Sequence, residues 1–297
     1  MSTPRTGHTA TLLPNGQVLV VGGQEQGTYS SPPLATAEIY DPASDKWSQV
    51  TSMITARTNH RVTLLPNGQV LVVGGFAGLQ ALPNVEIYDP VSDQWSSRRS
   101  LPTARYVHTE TLLNNSLVLT VGGASGAEKY DSAANAWSTA GDFPTSMRTD
   151  HTATLLISGS VLVAGGTGPS GGLASAYLYD PTSNTWLPRQ SLPTERYAHT
   201  ATNLGVPIAR PRDLVLVAGG WEPTTSNPAL APSAEIYNPE ADAWSSARNL
   251  VTRARATLRH CCQVARCSSS GEVELQAFLR VQRSTTSRPT DGQALGV

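Results

Sequence analysis

The chain has 297 residues and a net charge of −1, with 14% of its positions charged. That balance removes the electrostatic grounds for binding nucleic acid or an acidic membrane surface. No apolar run approaches the length of about 18 residues that a membrane-spanning helix needs, and no N-terminal segment has the charged-then-apolar order of a signal peptide.

From about Gly7 to Val50 four short apolar segments alternate with turn residues. The first two form a hairpin around Asn15-Gly16, the strongest short hairpin signal. Gly22-Gly23 and a loop follow, then a segment ending in Tyr40-Asp41-Pro42, then one carrying Trp47. Four strands of this kind predict one small antiparallel sheet. About Asn59 to Arg98 repeats the pattern, with Asn67-Gly68 at the turn. About Val107 to Thr139 repeats it again, with Asn114-Asn115 and the shortest loop after its glycines. The fourth copy spans about Asp150 to Leu187. The fifth, about Ala198 to Ala247, carries an insertion, Gly205 to Arg212, in its first hairpin and has the longest loop, Trp221 to Pro232.

The glycine pairs Gly22-Gly23, Gly74-Gly75, Gly122-Gly123, Gly165-Gly166 and Gly219-Gly220 are 52, 48, 43 and 54 residues apart. Each is followed by a Tyr (Tyr40, Tyr88, Tyr130, Tyr179, Tyr237), and seven residues later by a Trp (Trp47, Trp95, Trp137, Trp186, Trp244). A gap that never varies marks packed sheet, and loops of varying length mark surface. Double Gly, Tyr and Trp at this period resemble the kelch repeat, over residues 5 to about 250. The resemblance implies an all-β fold, a kelch-type β-propeller with five recognisable four-stranded blades. Physics supports it: a lone four-stranded sheet cannot bury both faces, whereas blades set radially bury each face on a neighbour. The glycines suit strand ends crowded by backbone near the central channel, and the Tyr and Trp rings suit the gaps between blades.

Both ends depart from the pattern. Met1 to His8 has the spacing of Met53 to His60, so the chain starts inside a connection between blades and more sequence, a further blade or a secretion signal, is expected upstream. Residues 1–250 read as the propeller and 251–297 as a degenerate sixth repeat. Beyond Arg255 the turn signals lose their order and the chain's three cysteines appear, between 261 and 267. A G/C-rich back-translation read two bases on restores a sixth copy, from His through Gly-Gly to Tyr-Asp. A frameshifted bacterial gene is the expected cause, with a poorly packed or disordered tail and an open ring of blades as its consequence.

His8, His60, His108, His151 and His199 recur at one repeat position, as do Arg5, Arg57, Arg105, Arg148 and Arg196 three residues earlier. A histidine ring invites a metal reading, but repetition favours a structural role, hydrogen bonding at the first strand. The arginines sit on the inter-blade connection, which emerges on the same face as the loop after each Gly pair. Hydrogen bonds and salt bridges between blades are the expected role, and recognition of a carboxylate or phosphate the sharper one. Gly166 to Gly171 matches G-x-G-x-x-G but is rejected as a dinucleotide site, because no helix follows and Pro169 removes an amide donor. Function is better sought where blades differ. Phe76 and Trp221 follow their Gly pairs, Tyr106 and Tyr197 follow their arginines, and Tyr29 lies in a loop.

The expected function is therefore a non-catalytic binding scaffold, monomeric, for a protein or glycan ligand. Arg105, Arg196, Tyr106, Tyr197, Phe76 and Trp221 are the candidate ligand-binding residues. No catalytic residue, metal ligand or cofactor is assigned. The competing expectation is the remnant of a carbohydrate-active or galactose-oxidase-like enzyme. That group uses copper held by Tyr and His, with a Tyr cross-linked to a Cys, and no Cys lies within these blades.

Overall fold

A computed structural model describes residues 1–25, 31–145, 147–205, 213–223 and 229–250. Tyr29, most of the insertion in blade 5, the middle of its long loop, and the whole tail 251–297 with its sixth-repeat reading lie outside the described residues.

Among the described residues all regular structure is strand, in five four-stranded antiparallel sheets whose strands lie in chain order and four short two-stranded ones. Blade 1 is Thr9–Leu12, Val18–Val21, Ala37–Asp41 and Lys46–Val50. Blade 2 is Arg61–Leu64, Val70–Val73, Val85–Asp89 and Gln94–Arg98. Blade 3 is Thr109–Leu112, Val118–Val121, Ala127–Asp131 and Ala136–Thr139. Blade 4 is Thr152–Leu155, Val161–Ala164, Ala176–Asp180 and Thr185–Arg189. Blade 5 is Thr200–Asn203, Val215–Ala218, Ala234–Asn238 and Ala243–Ser246. First strands of successive blades are neighbours, so they form the inner edge of the array. Second strands are apolar runs, broken only by Thr120 in blade 3, because they lie between neighbouring blades.

The invariant Tyr-to-Trp gap has a local cause. Each Tyr pairs directly with its Trp across the hairpin joining third and fourth strands. The ring centroids lie 4.8–5.1 Å apart in all five blades. The Tyr hydroxyl donates to an Asp or Asn five residues on, which sits at φ between 47° and 57°. Asp and Asn tolerate that left-handed backbone and supply the acceptor, so adding or removing a residue would break turn and hydrogen bond together.

Blades interlock through apolar clusters shared by neighbours. Leu19 and Val21 of blade 1 pack with Val70, Val72 and Tyr88 of blade 2, and three further clusters follow between blades 2 and 3, 3 and 4, and 4 and 5. At the outer rim the Trp indoles of blades 2 to 5 reach back one blade. Trp95 donates to Thr51 O at 2.7 Å, Trp137 to Arg99 O at 2.8 Å, Trp186 to Ala140 O at 2.6 Å and Trp244 to Gln190 O at 2.8 Å. Trp95→Phe keeps a ring but loses this donor, so urea unfolding should show a loss of about 1 kcal/mol. An unchanged midpoint would mean the latch carries no load.

Candidate functional site

The connection between blades and the loop after each Gly pair meet on one face through short backbone pairings. The residue after the Arg pairs with the residue after the glycines: Thr6 with Gln24, Thr58 with Phe76, Thr149 with Thr167 and Tyr197 with Trp221. In blade 5 the pairing is reciprocal, Tyr197 N to Trp221 O at 3.0 Å and Trp221 N to Tyr197 O at 2.9 Å. The structure thus sets Tyr197 beside Trp221. It also brings Phe76 of blade 2 onto Tyr106 at the entry to blade 3, ring centroids 5.1 Å apart. All four aromatics are half-exposed. Beside Phe76, a hairpin of Phe76–Ala77 and Gln80–Ala81 holds Leu79 at its tip, 94% exposed. Gly168 and Gly171 likewise pair across a hairpin, so the G-x-G-x-x-G stretch has no helix N-terminus behind it.

Arg105 and Arg196 require a correction: both are 0% exposed. Arg105 donates to Gly122 O at 2.9 Å and to Glu128 at 2.6 Å. Arg196 donates to Gly219 O, Ser233 O and Glu235, the last at 2.8 Å. Arg5 and Arg57 bind Glu38 and Glu86 in the same way. These partners belong to the blade the arginine introduces, not to its neighbour. Each guanidinium straps the incoming chain to the second and third strands of its own sheet, and its donors are turned inward. Blade 4 departs from the rule: Tyr177 stands where the other blades carry Glu. Arg148 bonds Gly165 O, Ser175 O and the Ser175 hydroxyl instead, and lies 5.4 Å from the Tyr177 ring centroid. Burial without a carboxylate pulls its pKa down to about 10.

The glycine pairs are crowded by the connection that enters the next blade or their own, rather than by a channel. A Cβ on Gly74 would meet Arg105 O at 2.5 Å, and one on Gly75 would meet Thr58 O at 2.8 Å.

Three of the five histidines link blades. His60 Nε2 lies 2.9 Å from Thr9 Oγ1, His151 Nε2 2.9 Å from Thr109 Oγ1, and His199 Nε2 3.0 Å from Thr152 Oγ1. Burial holds His108 and His151 well below the usual imidazole range and His199 at about 3, so these rings are neutral at pH 7. Among the described residues no three His, Cys, Asp or Glu side chains converge as a metal site. A copper-ligand set does not fit a ring of histidines spaced one per blade and turned onto threonines.

The seam between blades 2 and 3 contains polar residues that repetition hides. Arg61 stands where the other blades have Thr9, Thr109, Thr152 and Thr200. Glu110 stands where they have Ala10, Val62, Ala153 and Ala201, and Thr120 where they have Val20, Val72, Val163 and Val217. The readable signal was these three departures from an otherwise uniform repeat. Glu110, Thr120 and Glu128 are directly opposite one another across three strands, so their side chains share one face of blade 3. Glu110 and Thr120 are buried. Thr63 of blade 2 donates its hydroxyl to Glu110 at 2.8 Å. His108 Nε2 lies 4.0 Å from Glu110 Oε1 and has lost the threonine partner seen at its counterparts. Burial pushes the Glu110 carboxyl up to about 8, and the Thr63 hydrogen bond and Arg61 charge offset only part of that. The seam thus has an aromatic pair, Phe76 and Tyr106, at its outer face and a polar row running from Arg105 and Glu128 to Glu110 at its inner edge.

The Kelch motif matches residues 4–54 and 57–102, the first two blades. A galactose oxidase from Gibberella zeae is 38% identical over 74 residues, 24% of this chain and 11% of that protein. Kelch-like protein 34 from Homo sapiens is 25% identical over 265 residues, 84% of this chain and 32% of that protein. An F-box/kelch-repeat protein of Arabidopsis thaliana is 30% identical over 129 residues, 43% of this chain and 31% of its own length. The chain thus spans no more than about a third of these relatives. A solved fungal alcohol oxidase of the AA5 family, in complex with copper, superposes with a TM-score of 0.67 at 18% identity, covering 83% of this chain and 54% of that one. Five repeats built on one hydrogen-bonded plan, sheets stacked face to face along their inner strands, and likeness to these proteins in sequence and fold give the chain kelch repeats and a β-propeller fold similar to that of galactose-oxidase-like proteins.

Proposed function

We propose that the chain is a non-catalytic scaffold that binds a protein partner on the face formed by the inter-blade connections and the loops after the Gly pairs. The observation that carries this reading is the Phe76–Tyr106 pair, two half-exposed rings bridging a seam beside the exposed Leu79. Aromatic anchors with an apolar neighbour are the composition of binding hot spots. Tyr197 and Trp221, joined through their backbones in blade 5, place two more half-exposed aromatics on the same face. Similarity to Kelch-like and F-box/kelch-repeat proteins supports a role in protein interaction.

A Phe76→Ala/Tyr106→Ala variant tests the reading. Affinity capture on immobilised wild-type protein should retain a partner whose binding the variant weakens at least about tenfold, with thermal stability nearly kept. Retention on a glycan array instead would assign a glycan ligand. A partner bound equally by both forms would remove this face from the reading. The enzyme alternative rests on likeness to galactose oxidase and to the copper-bound alcohol oxidase. Stoichiometric copper together with alcohol turnover would overturn the scaffold reading.

A further inference from the structure

Three buried or half-buried positions break the repeat, and they meet in one seam. A buried carboxylic acid and hydroxyl are costly where neighbouring blades use alanine and valine. Such local violations are expected where stability has been exchanged for a function.

The surroundings of Glu110 are defined on every side. Its own strand is led by His108, with Nε2 4.0 Å away. The second strand places Thr120 beside it, and the third places Glu128, already bound to Arg105. Blade 2 faces it with Thr63, Arg61 and the preceding His60. On the far side, His151 of blade 4 is engaged with Thr109. Arg61 is half-exposed, whereas Arg105 is wholly enclosed.

We propose that this seam is a proton-controlled joint. Protonated Glu110 sits within it on the Thr63 hydroxyl. Loss of the proton to solvent drives the carboxylate out toward Arg61 and loosens the contact between the first strands of blades 2 and 3. Phe76 and Tyr106 straddle the same seam, so their platform separates with it. That consequence rests on the binding reading above, whereas the joint itself does not.

The direction in pH follows from linkage. The folded protein holds this proton to about pH 8, whereas the unfolded chain loses it near the ordinary value of 4.5. Stability from this group is therefore complete at low pH, falls as pH rises between those values, and is level above them. The buried histidines are neutral in the folded protein, whereas the unfolded chain's imidazoles lose their protons around pH 6.5, so they add stability up to about pH 7.5, and equally so in the three proteins compared. Thermal midpoints of wild type, Glu110→Gln and Glu110→Ala from pH 6.5 to 9 test the joint, with hydrogen exchange over 61–64 and 109–112. Wild type should lose roughly 4–8 °C across the window relative to both variants, and exchange in the two strands should accelerate with pH in wild type beyond the intrinsic rise seen in the variants. Glu110→Ala restores the residue found in blades 1, 4 and 5, so it keeps the test open if the Gln variant folds poorly. Equal profiles in all three proteins overturn the proposal. A slope specific to Glu110 without faster exchange at the seam overturns the opening.

Discussion

Arg57→Met should lower the free energy of unfolding by about 3–5 kcal/mol, while Arg148→Met should lower it by only about 1–2 kcal/mol. The two side chains hold the same repeat position and are equally enclosed. Arg57 donates to Gly74 O and Asn84 O, each at 2.8 Å, and to the Glu86 carboxylate. Glu86 also accepts the backbone N–H groups of Ile54 and Thr55, at 2.7 and 3.0 Å. Removing Arg57 strands a carboxylate that is 1% exposed. Removing Arg148 strands none, because Tyr177 stands in the place of the glutamate. The converse change follows: Tyr177→Glu should give Arg148 its missing counter-ion and raise stability by about 1 kcal/mol. Urea unfolding of the three variants decides. Equal losses for the two arginines would show that the carboxylate is not what makes the strap matter.

Gly74→Ala should cost more than about 3 kcal/mol, whereas Gly78→Ala, at nearly the same backbone angle, should cost about 1 kcal/mol. Gly74 has φ +61° and Gly78 φ +63°, so the conformational penalty is shared. Space separates them. A Cβ on Gly74 would lie 2.5 Å from Arg105 O and 3.0 Å from His108 Cε1, and one on Gly78 would meet nothing within 4 Å. Arg105 O cannot retreat, because it accepts the Gly75 N–H at 2.9 Å while its side chain is tied to Glu128. Denaturation midpoints and soluble yield measure both variants. Similar losses at the two glycines would mean that backbone angle, not contact, explains the repeated pair.

The large effects fall where the repeat is strictest, and those parts were legible in the chain. Sheet number, blade boundaries and the Tyr–Trp pairing follow from apolar runs, turn residues and a seven-residue gap. The aromatic candidates were legible for a different reason: Phe76, Tyr106, Tyr197 and Trp221 interrupt a pattern that is otherwise copied. Salt bridging was the expected role of the arginines, but Arg105 and Arg196 misled as ligand contacts, because a charged residue on a connection resembles a surface group until its glutamate is placed, in a third strand 23 residues later for Arg105 and 39 later for Arg196. Arg61, Glu110 and Thr120 escape notice in the chain because each, taken singly, is an ordinary substitution.

Residue chemistry along the chain was enough to settle what each blade is, because strand, turn and cross-strand pair are interactions within about 50 residues of one another. Which side chains face water, which charge meets which, and where three unremarkable substitutions converge were settled only by stacking one blade on the next. Burial and ion pairing depend on neighbours in space, and in a radial array those neighbours come from different copies of the repeat. Glu110 illustrates the division: its residue type was plain in the chain, but its raised pKa exists only because the neighbouring blade closes over it and takes it out of water, against the opposing pull of the Thr63 hydrogen bond.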